Sequence, residues 1–106
     1  MPSHTERRGQ LDFPAINRAA LASLPALLRR WLPDGRLVGR EYTALNPTRA
    51  DRRPGSFRIN VNSGRWADFA CDDKGGDVVS LAAYLSGSGQ AEAARALVDM
   101  LGLRHD

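Results

Sequence analysis

The sequence predicts an α+β fold, a small three-stranded antiparallel sheet packed with N-terminal and C-terminal helices, and three observations carry that expectation. Residues 56–61 alternate, with Phe57, Ile59 and Val61 on one face and Arg58 and Asn60 on the other, which is the period of a half-buried strand. Asn62-Ser63-Gly64 then connects tightly to residues 66–69, so the pair reads as a β-hairpin in which Gly64 takes the positive φ that such turns need. Apolar residues at helical spacing flank this hairpin, at Leu24, Leu27, Leu28, Trp31 and Leu32 before it and across residues 78–85 and 90–101 after it.

Taken in order, the first ten residues, MPSHTERRGQ, are polar, so residues 1–12 are expected to form a flexible basic arm and residues 13–106 a single domain. Asp12 is placed to cap a helix reaching Ala22, with Pro14 tolerated in its first turn. Ser23 is placed to cap a second helix, again with a proline, Pro25, in the first turn, and Pro33-Asp34-Gly35 stops it. Residues 36–44 read as one continuous strand, the third of the sheet, with Leu37, Gly39, Glu41 and Thr43 opposite Val38, Arg40, Tyr42 and Ala44. After the hairpin, the Gly75-Gly76 pair permits a sharp entry to a helix capped by Asp77, nearly all apolar and expected against the sheet. A Ser-Gly-Ser-Gly loop leads to a last helix with Ala91, Ala94, Leu97, Val98 and Leu101 inward, and Gly102 ends it.

A chain of 106 residues can bury one modest core and not two. Its charge is uneven. Residues 29–65 hold nine arginines against three acids, a net of +6, whereas residues 66–106 hold three cations against seven acids, a net of −4. Such a split predicts a basic face suited to a polyanion beside a neutral to acidic helical flank. A single cysteine excludes an internal disulfide framework and fits a reducing compartment. With neither a signal-like apolar segment nor an apolar run near the ~20 residues of a membrane span, the expectation is a cytoplasmic protein with no membrane association.

Two turns bracket the hairpin: Asn46-Pro47-Thr48-Arg49 enters it and Asp68-Phe69-Ala70-Cys71 leaves it. Two pairs of positions, each separated by two residues, on either side of a hairpin describe a zinc ribbon, where four ligands surround one tetrahedral ion. Asparagine and arginine are not ordinary zinc ligands, and His4 and His105 lie at the chain ends. The expectation is therefore a zinc-ribbon-like sheet without zinc, and no cofactor.

The order Pro47, Pro54-Gly55-Ser56-Phe57, a strand, Gly64, an aromatic-rich strand, Phe69, Cys71 and Gly75-Gly76-Asp77 ahead of an apolar helix resembles the N-terminal zinc-binding domain of bacterial and phage DNA primases. Among these it is most similar to the primase/helicase proteins of phages and integrated mobile elements, over about residues 32–101. That family carries Cys-Pro-x-His in the first turn and Cys-x-x-Cys in the second. The resemblance places the four ligand positions at Asn46, Arg49, Asp68 and Cys71, three of them replaced. In those primases a separate Toprim domain polymerises, so the resemblance implies the accessory role, engaging single-stranded template DNA in replication. The alternative is a protein-interaction factor of a mobile element, docking on a replication partner or a host-defence complex.

The residues themselves name the candidate site. Arg49, Arg52, Arg53 and Arg58, with Arg65 and Lys74, supply backbone neutralisation beside an aromatic hairpin, the two parts of a single-strand binding surface. Trp66 is either a core residue or, if its ring is exposed, a platform for a base. Asp68 and Arg49 are placed to pair across the two turns, as a buried bridge or an exposed ion pair. Cys71, with no histidine nearby in sequence, reads as a small buried apolar residue rather than a nucleophile. Lys74-Gly75-Gly76-Asp77 lacks the spacing of a phosphate loop, and its aspartate would repel phosphate. No catalytic triad, paired carboxylates or metal constellation is evident, so the expectation is a non-catalytic chain.

Overall fold

The computed structural model describes residues 11–49 and 55–103; Arg52, Arg53, His4 and His105 lie outside the described residues. Helix α1 (Phe13–Ala22) begins where Asp12 accepts the Ala15 N–H at 3.1 Å, with Pro14 in the first turn. Leu11 already packs on the core, so the last two residues of the expected arm belong to the folded unit. Ser23 alone separates α1 from α2 (Leu24–Trp31), and its side chain makes no cap. Leu24, Leu27, Leu28 and Leu32 are buried along one face, as their spacing dictates.

Among the described residues the sheet has five strands, not three. They are β1 (Arg36–Val38), β2 (Glu41–Ala44), β3 (Phe57–Asn60), β4 (Trp66–Asp68) and β5 (Asp73–Gly75), an antiparallel meander in chain order. The expected single strand over residues 36–44 is a hairpin, because Gly39 adopts φ +63° and lets Val38 pair with Glu41 across a two-residue turn. The β3–β4 hairpin is as expected, with Gly64 at φ +80°. The fifth strand has no β-branched or aromatic residue and is defined by its pairing with β4. Gly75 is required there for close approach rather than for a turn: a Cβ would overlap the Trp66 indole and the Ser80 hydroxyl.

Register separates the two faces of the sheet. Tyr42, Ile59 and Trp66 stand side by side across β2, β3 and β4 and are buried, as are Ala44, Phe57 and Asp68 one pair further along. Helices α3 (Val78–Ser86) and α4 (Gln90–Leu101) complete the core, with α1 packed against both. Asp77 and Ser80 form a reciprocal capping box at the start of α3, and the same Ser80 hydroxyl accepts the Trp66 Nε1–H at 3.0 Å, which ties helix entry to the core tryptophan. On α4 the buried positions are Ala93, Ala94, Leu97 and Val98; Ala91 is exposed, since the helix turns its inner face slightly from the expected stripe. No described helix is long and apolar enough to cross a membrane.

Candidate functional site

The two turns that bracket the β3–β4 hairpin meet at one buried carboxylate. Asp68, on the inner face of β4, is fully buried; its Oδ2 accepts from Asn46 Nδ2 at 2.7 Å and Arg49 Nε at 3.1 Å, and its Oδ1 from the Ala70 N–H at 2.9 Å. Asn46, also buried, extends the network. Its Nδ2 reaches the Tyr84 hydroxyl at 2.8 Å, its Oδ1 accepts the Thr48 N–H at 2.9 Å, and Tyr84 donates onward to Asp73 at 2.7 Å. Among the described residues, no buried side-chain polar atom lacks a partner.

Burial alone would raise the Asp68 carboxyl. Hydrogen bonds from Asn46, the Ala70 N–H, Ser56 and Arg49 outweigh that effect and hold its pKa at about 2, below the ordinary 3.8. A depressed carboxylate contributes stability above its unfolded pKa and loses it as pH falls through the folded one. Chemical denaturation is therefore expected to show about 2 kcal/mol less stability at pH 2 than at pH 5 from this group, the loss spanning roughly pH 4 to 2. Asp68→Asn is expected to flatten that window.

Cys71 is half-buried rather than buried, and its backbone N–H bonds the Asp68 carbonyl at 3.2 Å. A backbone bond from Asp73 favours its thiolate, but partial burial and the nearby carboxylates of Asp73 and Asp68 prevail and push the thiol up, away from nucleophile chemistry. Among the described residues no three His, Cys, Asp or Glu side chains converge as a metal-binding group. Around Asp68, the turns are joined by hydrogen bonds from groups that are not metal ligands.

The opposite, open face of the sheet carries different chemistry. Arg36, Thr43, Arg58, Ala67 and Lys74 are successive cross-strand partners from β1 to β5, so one row places three cations across the sheet. A shallow groove of about 530 Å³ runs along this face, bordered by Arg58, Arg65 and Lys74, with Glu41 as its one acidic side chain among the described residues. Phe69 borders it too, is 68% exposed, and lies under the Arg58 guanidinium, 5.6 Å from ring centroid to Cζ. Arg58 is held in place by Gly55 O at 2.8 Å from its Nε and by Glu41 at 3.5 Å from Nη1.

Two of the expected site residues are corrected by this geometry. Trp66 is only 5% exposed, packed against Phe57 and Tyr84 with centroids 6.2 and 4.5 Å away, and is a core residue with no open ring face for a base. Arg49 belongs to the Asp68 cluster rather than to the open-face row, because its Nε turns to the buried carboxylate. Arg58, Arg65 and Lys74 are brought together on the groove. The aromatic that sequence reasoning missed is Phe69. The alternation that turns Trp66 and Asp68 inward turns Ala67 and Phe69 outward, and that signal was present in the residues 66–69.

Compared with known proteins, the chain matches no protein-family model, and no curated protein matches it either.

Proposed function

We propose that the chain is a non-catalytic module that binds single-stranded DNA on the open face of its sheet, in the manner of an accessory domain of replication. The observation that supports this most is the convergence on one groove of Arg58, Arg65 and Lys74 with the exposed ring of Phe69. Cations spaced along a groove neutralise successive phosphates, and an exposed ring stacks on any unpaired base, whereas the bases of a duplex are already stacked on one another. The reading keeps the likeness to the primase zinc-ribbon domain, whose ligand positions the resemblance puts at Asn46, Arg49, Asp68 and Cys71. Arg52 and Arg53, next to this region in sequence, are additional candidate phosphate contacts.

Fluorescence anisotropy with a labelled oligonucleotide at several salt concentrations tests it. Three phosphate contacts give a log-log salt slope of about 2, at ~0.7 per contact on single strands, and Arg58→Ala is expected to lower it by one contact. Unlabelled single strand is expected to compete better than the same sequence as duplex. The other reading, a protein-interaction factor, has one observation in its favour: edge strand β1 exposes Leu37 and Val38, 51% and 66% accessible, on a strand with one side unpaired. Folded protein that binds no oligonucleotide at low salt would move the assignment to that reading.

A further inference from the structure

The groove holds a side chain whose donors are oriented and unused. Asn60, at the end of β3, projects to the same face as Arg58 and borders the groove. Its Oδ1 accepts two backbone N–H groups, from Asn62 at 2.8 Å and Ser63 at 3.0 Å, as the chain turns out of the strand. Those two bonds fix which end of the amide is oxygen, since a flipped amide would set its NH2 against two donors. They leave Nδ2 with no acceptor among the described residues. Its cross-strand partner Glu41, which also borders the groove, turns its carboxylate to Arg58.

Resting on the single-strand reading above, we infer that Asn60 is a base-reading residue whose amide N–H groups favour keto bases, thymine, uracil and guanine, over amino bases, cytosine and adenine. Around the groove Arg58, Arg65, Lys74 and Asn60 Nδ2 offer donors, and the Glu41 carboxylate that also borders it is turned to Arg58. A keto oxygen at pyrimidine position 4 accepts from such a rim. An exocyclic amino group at that position is itself a donor; set against Asn60 Nδ2 it meets donor with donor and loses a hydrogen bond that water would have given. Phosphate contacts and stacking on Phe69 carry most of the affinity, and Asn60 adds the discrimination.

Oligo(dU) and oligo(dC) of equal length differ in this respect and little in size, and both stay single-stranded at pH 8. The wild-type protein is expected to bind oligo(dU) about fivefold more tightly, the worth of one net hydrogen bond. Asn60→Asp retains an oxygen to accept both N–H groups of the turn but replaces the donors by a second carboxylate oxygen, which accepts from the cytosine amino group. Its added charge weakens both complexes alike, so the ratio between them is the readout, and it is expected to invert toward oligo(dC). Asn60→Ser, which keeps a turn-forming oxygen without charge, is expected to bring the ratio to one, with a thermal melt confirming the fold of each variant. Equal wild-type affinity for the two strands, or an unchanged ratio in both folded variants, overturns the role of Asn60 while leaving single-strand binding intact. Failure to bind either strand overturns the reading beneath it and this inference together.

Discussion

Replacing Asp68 by alanine is expected to destabilise the protein by about 3–5 kcal/mol, the range for breaking a buried, hydrogen-bonded charge pair from one side. Asn46 Nδ2, Arg49 Nε and the Ala70 N–H all point at this carboxylate, and its deletion takes an acceptor from each of them while leaving a cavity at a fully buried position. For a domain of this size the corresponding fall in Tm is roughly 15–30 °C. Arg49→Met is expected to cost less, because the arginine is a third exposed and Asp68 keeps its other donors. A double-mutant cycle reads the coupling directly: the double variant should be more stable than the sum of single losses implies. Additive losses, or an Asp68→Ala variant that melts with the wild type, would show that the cluster does not hold the two turns.

The second large effect is on binding. Phe69→Ala is expected to weaken single-strand affinity about 5- to 150-fold, equivalent to the ~1–3 kcal/mol of one base–aromatic stack, with the salt slope unchanged because stacking is not ionic. Stability should move little, since the ring is 68% exposed and outside the core. Trp66→Ala should behave in the opposite way, lowering stability by about 3–5 kcal/mol through the cavity it leaves. An affinity loss in folded Phe69→Ala that tracks a reduced salt slope would instead mean that the ring only positions Arg58 through their contact.

The helices and the central hairpin were legible because each repeats a simple period. Leu24, Leu27, Leu28 and Leu32 mark one face of α2, Phe57 and Ile59 one face of β3, and Asp12, Pro14 and Asp77 mark where helices begin. The outer strands were not legible for two different reasons. In β1–β2, side chains on both arms look like one weak alternation, and only the positive φ of Gly39 reveals the reversal. In β5, Asp73-Lys74-Gly75 has the composition of a loop, and its strand conformation depends on pairing with β4 and on Gly75 meeting the Trp66 ring, both non-local. The meeting of Asn46, Arg49 and Asp68 could be anticipated from the spacing of two turns, but Tyr84, whose hydroxyl bridges Asn46 to Asp73, lies a helix away with no local signal. For the open face, the basic segment was evident from composition, whereas the choice of stacking ring turned on parity: the more conspicuous aromatic, Trp66, falls on the buried side of β4 and Phe69 on the open side.

An amide chemical-shift titration of the labelled protein with an unlabelled single-stranded oligonucleotide reads binding on the open face most directly. Binding on the open face predicts that the largest shifts fall on Arg58, Asn60, Arg65, Ala67, Phe69 and Lys74, with the α3 and α4 amides nearly still. Shifts centred on the helices or on β1, or a spectrum unmoved by millimolar oligonucleotide at low salt, would contradict it.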